Sequence, residues 1–274
     1  MPRIALSFVV LFSFALSLPA QPTPAQQSAT IPIATNDPQA VSIINQALAV
    51  GGGAQAVSAI RDYTGSGTIT YRQDVDTEIQ GTVTLKGRGA AQFRMDANLP
   101  AGVRSWIVDQ GHASANGTQQ PHVAPKPIPS SDAFPVHAPI FPGGLAFPYV
   151  ELATALNSSH FVLAYKGLVQ MNGRSLHDIQ LQRTMPGNTV TRPSKSAYDT
   201  KDYFIDSFTF QVVMTQEMVP KFAIRQTEYS NYVPVNGILI PFSINQRIAG
   251  QQSWSIQLSQ VIFNTGLHAS DFVQ

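Results

Sequence analysis

The chain has 274 residues, a formal net charge of +1 and only 12% charged residues, about half the share usual in globular proteins. That balance provides no basic surface for nucleic acid or for an anionic membrane. With no cysteine present, a disulfide framework and an acylated cysteine anchor are both excluded.

In chain order, Arg3, the apolar run Ile4 to Leu18 and small residues at Ala20 and Ala25 read as a secretory signal over residues 1–25. The run is short for a bilayer span, and no later segment is both apolar and long enough. A flexible leader rich in Pro, Gln and Thr follows at 26–36. The expectation is therefore one exported domain over 37–274, periplasmic or secreted, monomeric, with no integral membrane segment once the signal is removed.

Asp37 is a natural N-cap with Pro38 at the first helical position, and Val41, Ile44 and Leu48 then share one face. Gly51-Gly52-Gly53 stops this helix, and a shorter one, Ala54 to Ile60, ends at Arg61 and Asp62. Two strands follow that alternate almost without error. Tyr63, Gly65, Gly67, Ile69 and Tyr71 face one side of the first; Ile79, Gly81, Val83 and Leu85 face one side of the second. Phe93 and Met95 continue the meander, and Trp106 and Val108 lie in a fourth strand over Ser105 to Gln110. Glycines on the apolar face imply a sheet that bends or leaves room there.

From Gly111 to Pro148 the proline density predicts no regular structure. Its second half is apolar, and Pro148 opens a helix with Tyr149, Leu152, Ala153 and Leu156 at helical spacing. Residues 134–157 are thus expected to be a loop-plus-helix cover. Strands then resume: Phe161 to Tyr165, an Asn172-Gly173 hairpin, Leu176 to Arg183, a polar surface loop from Thr184 to Asp202, and the pair Tyr203 to Ile205 and Gln211 to Met214. Phe222 to Tyr232 leads through Asn236-Gly237 to a strand with Ile238, Ile240, Phe242 and Ile244, and Gly250 turns the chain into a last strand with Trp254, Ile256 and Leu258. Pro241 belongs at an edge or bulge. The fold class is mainly β with a few helices: a strongly curved, open antiparallel half-barrel of roughly ten or eleven strands, covered by the N-terminal helix and the central loop-helix lid.

Little in the sequence advertises chemistry. The histidines are scattered without metal-ligand spacing. The pairs Asp74/Asp76 and Asp199/Asp202 fall in predicted turns that favour Asp anyway. There is no nucleophile elbow, zincin, Walker or dinucleotide motif, and Gly51 to Gly53 reads as a helix stop before an anion cradle. No catalytic residue, metal or cofactor is assigned.

The layout resembles the periplasmic lipoprotein carrier superfamily (LolA/LolB-like). The resemblance rests on the opening helix with Gly51-Gly52-Gly53, Ala56 to Ile60 and the Gly65 to Tyr71 strand. At the other end it rests on Val235 to Pro241 and the closing Val261 to Phe272, with Asn264, Gly266 and Leu267. It implies a binding protein that is not an enzyme and whose concave face holds a lipid, a lipoprotein acyl chain or another hydrophobic ligand for transport toward the outer membrane. The trough would be lined by Tyr63, Ile69, Tyr71, Ile79, Val83, Leu85, Phe93, Met95 and Trp106, with Phe141, Leu145, Leu152 and Leu156 as cover. An ordinary closed core would use the same residues. The alternatives are a regulatory or structural envelope module that meets a protein partner through the cover, and a hydrolase with a site assembled across loops.

Overall fold

The computed structural model describes residues 35–72, 77–109, 112–117, 147–186, 191–193, 200–219 and 223–273, all within the compact unit Ile33–Gln274. The expected signal and nearly all of the leader lie outside the described residues. Helix α1, Pro38–Val50, starts as its sequence dictates: Asp37 Oδ1 accepts hydrogen bonds from the N–H groups of Gln39 and Ala40 at 2.7 and 3.3 Å, which satisfies donors that a helix start leaves unpaired. Its buried face carries Ala40, Ile43, Ile44, Ala47 and Leu48. The glycines end it for a steric reason. Gly52 has φ +119°, and a Cβ there would lie 2.9 Å from Ile238 Cα. Leu239 N–H donates to Gly51 O at 3.0 Å, so the two stretches that suggested the family, Gly51 to Gly53 and Asn236-Gly237-Ile238, meet in space.

Helix α2 (Ala54–Ser58) is followed by β1 (Asp62–Arg72), β2 (Glu78–Arg88), β3 (Gln92–Leu99), β4 (Gly102–Asp109) and β5 (His112–Gly117). Helix α3 (Pro148–Leu156) precedes β6 (Phe161–Met171), β7 (Arg174–Pro186), β8 (Thr191–Pro193), β9 (Thr200–Asp206), β10 (Val212–Val219), β11 (Ala223–Val235), β12 (Ile238–Ile248) and β13 (Gln251–Phe263). They form one antiparallel sheet in the order β5-β4-β3-β2-β1-β13-β12-β11-β10-β9-β7-β6, with β8 attached to β7. The sheet is not closed, as expected. Short β5 and β8 bring the count among the described residues to thirteen strands where ten or eleven are expected from sequence. Both lie in segments assigned no strand from sequence: β5 before the prolines begin, and β8 with the start of β9 inside the supposed Thr184 to Asp202 loop.

The sheet curls, and the distances show how far. β1 and β9 are five pairings apart, which is about 24 Å on a flat sheet. Yet Phe147, just before α3, packs on Tyr63 of β1 with ring centroids 4.1 Å apart, and Glu151 of α3 bonds to Lys201 and Tyr203 of β9. Residues so close in sequence reach both only if the sheet wraps around the helix. Irregular pairings at Ser66/Gly67, Tyr165/Gly167, Val212/Met214 and Gln246/Arg247 supply local bends. Gly67 is needed at the first, since a Cβ there would sit 2.8 Å from Leu258 Cα. Pro241 is on interior strand β12, but β12 pairs with β13 only from Ser243 onward, so Pro241 lies on a locally free edge.

The pairing of β1 with β13 joins the two halves of the chain. Asp62, read from sequence as a helix end, fixes it. Its Oδ1 accepts from Thr265 N–H (2.6 Å), Thr265 Oγ1 (2.9 Å) and Gly266 N–H (3.2 Å), while Asn264 N–H donates to Asp62 O at 2.8 Å. Beyond this knot, Lys86 pairs with Asp271 at 2.8 Å and holds the final turn of 3₁₀ helix, Ala269–Phe272, whose Phe272 is buried. Asp62→Ala removes three bonds to a buried acceptor and should lower stability by about 3 kcal/mol, measured by urea unfolding; a loss within error would show that strand pairing alone holds the seam.

Candidate functional site

The residues assigned to the trough converge. Tyr63, Ile69 and Tyr71 of β1, Val83 and Leu85 of β2, Phe93 and Met95 of β3 and Trp106 of β4 belong to one buried cluster, with Ile79 packed against it. The register explains the convergence: Gly65, Leu85, Met95 and Trp106 stand opposite one another across β1 to β4. Tyr63 lays its ring over Gly87 in the next row. Leu152 of α3 is fully buried in this cluster, and Leu156 packs at its border. Phe141 and Leu145 lie outside the described residues. The trough is filled: α1 and α3 occupy it, so these side chains form a packed core in this state. A cavity of about 500 Å³ instead opens between α2, α3 and the β2–β3 turn, lined by Val57, Ile60, Gly89, Thr154, Asn157 and His160 among others.

The second half of the same face differs in kind. Lys201, Glu217 and Arg225 stand directly opposite one another on β9, β10 and β11. The adjacent row is Tyr203, Thr215, Thr227 and Gln246. All seven are buried. Arg225 pairs with Glu217 at 2.8 Å. Lys201, only 1% exposed, pairs with Glu151 of α3 at 2.6 Å, and Tyr203 Oη donates a short hydrogen bond to the same Glu151 oxygen. Burial pushes the Glu151 carboxyl above its ordinary value, opposed by the attraction of Lys201. The Tyr203 hydroxyl is pushed well up too, first by burial and then by the adjacent carboxyl. α3 is thus buried from Pro148 to Ala153 and holds its one acid against the sheet's lysine.

Sequence reasoning missed this cluster. Glu151 sits at a position that helical spacing does not single out, and Lys201 was placed in a surface loop. Only the register of β9 with β10 reveals that Lys201 faces inward. Of the pairs Asp74/Asp76 and Asp199/Asp202, only Asp202 is among the described residues; it is in β9 and accepts from Gln180 and Lys166. His177, in β7, packs between Tyr165 and Phe210. Among the described residues no group of His, Asp or Glu could hold a metal ion, and no helix is long and apolar enough to cross a membrane.

An open antiparallel sheet curled around a cover helix defines a helix-covered half-barrel. Among solved structures it matches a LolA superfamily protein from Nitrosomonas europaea with a TM-score of 0.52 at 13% identity, over 86% of this chain and 97% of that one. A DUF1329 family protein from Desulfovibrio piger aligns with a TM-score of 0.48 at 9% identity, over 86% of this chain and 97% of that one. No protein-family model matches the chain, and no curated protein matches its sequence. The likeness to the Nitrosomonas protein shows a shared fold, the LolA-like half-barrel that the sequence resemblance implied.

Removing one partner of a buried ion pair costs about 3–5 kcal/mol, whereas replacing both by apolar side chains of similar size is near neutral or stabilising. Lys201→Met should fall in the first range and Glu151→Leu/Lys201→Met should recover most of the loss in a urea double-mutant cycle. The pH dependence follows from the raised Glu151 value: the folded chain holds that proton more tightly than the unfolded chain, so the contribution is full below the ordinary value of 4.5 and is lost as pH rises through the folded value. Across pH 4 to 8, Glu151→Gln should therefore gain stability relative to the parent protein as pH increases.

Proposed function

We propose that this protein is a soluble envelope carrier or binding protein that holds an acyl chain or comparable hydrophobic ligand in the concave face of the half-barrel, and that α3 leaves that face to admit it. The observation that carries the reading is the contrast between the two covers. α1 is capped by Asp37 and fastened at both ends: Asp37 N–H donates to Leu163 O at 2.8 Å, Leu163 N–H to Asn36 Oδ1 at 3.0 Å, and Leu239 N–H to Gly51 O. α3 has no side-chain cap at its N-terminus, and at 9 residues it is too short to be stable alone. Its hold on the sheet is packing plus a single side chain, Glu151, which pairs with Lys201 and accepts from Tyr203; a buried pair of this kind is weak evidence for a purely stabilising role.

The energies match a reversible device. An acyl chain of about twelve methylenes gains on the order of 10 kcal/mol on leaving water, at about 0.8 kcal/mol each. Lifting Tyr149, Val150, Leu152 and Ala153 off the sheet costs on the order of 8 kcal/mol by the same measure. The two are of similar size even before the Glu151–Lys201 pair is counted, so docking of α3 offsets ligand burial and keeps binding reversible. Transport toward the outer membrane is the use that the LolA likeness suggests; the ligand and the direction of transfer belong to experiment.

Native mass spectrometry of the mature protein from its own periplasm, with organic extraction, should find a stoichiometric lipid or lipoprotein. Leu152→Ala weakens α3 docking and so should tighten binding of a fluorescent fatty acid roughly tenfold by enlarging the open population. A protein that carries no lipid, and takes up none in either form, would overturn the reading and direct attention to protein partners of the cover.

A further inference from the structure

The concave face has two chemically distinct ends, and α3 spans both. Toward β1 to β4 it carries no charged side chain and is built from Tyr63, Leu85, Phe93, Met95 and Trp106. Toward β9 to β12 it carries Lys201, Glu217, Arg225, Tyr203 and Gln246. Glu217 and Arg225 balance each other on neighbouring strands. Among the described residues Lys201 has one ionic partner, Glu151, and that partner comes from the cover. When α3 departs, the sheet is left with an uncompensated ammonium in a low-dielectric trough, beside a tyrosine hydroxyl that has lost its acceptor. Such a state is costly unless the occupant supplies an anion at the same place. Spare donors await it as well: Arg225 Nη1 and Gln246 Nε2 are buried without a hydrogen-bond partner among the described residues.

We propose that Lys201 and Tyr203 form a head-group site for an amphiphile with a single anionic head, a carboxylate or a phosphate on one acyl chain, and that Glu151 of α3 fills that site when the trough is closed. The inference rests on the carrier reading and sharpens it by naming the ligand class. Glu151 presents a carboxyl on an apolar helix face, as a fatty acid presents one on an apolar chain. Phe147 and Leu152 stand in for the chain, and Glu151 for the head. Apolar chain burial gives affinity without discrimination, while a buried ammonium discriminates strongly against a neutral or cationic head.

The test compares decanoate, decyl phosphate, decanol and decyltrimethylammonium at pH 7.5, below their micelle concentrations, as competitors of a neutral environment-sensitive dye. On the unmodified protein both anions should bind at least tenfold more tightly than decanol, and decyltrimethylammonium more weakly still. In Glu151→Leu/Lys201→Met, which removes the pair together and preserves packing volume, decanol binding should persist while the anion preference falls to within about twofold. Equal binding of decanol and the anions to the unmodified protein would overturn the head-group site and leave the carrier reading standing. Failure of every amphiphile to displace the dye would overturn both. A preference that survives in the double variant would reassign it to another cation.

Discussion

The structure depends on the first strand pairing with the last. β1 begins in the middle of the sheet, and β2 to β5 grow from it toward one edge. The chain resumes at β6, on the opposite edge, and β7 to β13 return to the middle, where β13 meets β1. Asp62 ties that meeting point by accepting from the backbone and side chain just past β13. The cover is placed accordingly: α3, immediately before edge strand β6 in the chain, lies on the concave face and reaches both β1 and β9.

That placement sets the chemistry of the site. A helix inside a curled sheet is largely surrounded, and every residue of α3 from Pro148 to Ala153 is buried. An acid on such a helix must find a cation, and Lys201 is in reach because the sheet bends β9 toward it. The pair has little to recommend it as a source of stability. Under the proposed function its role is to specify which occupant belongs in the trough, with the helix standing where the ligand would.

The apolar half of the face was legible in the sequence because period-two alternation survives in β1 to β3, where one side is buried and the other wet. The helix boundaries at Asp37, Pro38 and Pro148 were legible because capping and proline chemistry are local, and so were the Asn172-Gly173 and Asn236-Gly237 turns, with positive φ at both residues of each. Lys201 was hidden by the opposite logic. Its flanks, Thr200 and Asp202, are polar, and a buried lysine in a polar stretch carries no signal of its burial. Short β5 and β8 escaped because their pairing partners, not their composition, make them strands.

By itself, then, the sequence determined the inventory: one mainly β domain, the two principal helices, the hairpins, and an apolar face needing a cover, all set by interactions between residues near each other in the chain. Which strand would neighbour which, the curl that brings β1 and β9 to the same helix, and the meeting of Glu151 with Lys201 and Tyr203 were decided by tertiary structure. Contacts between residues fifty apart depend on register and curvature summed over many strands, and no local pattern encodes that sum.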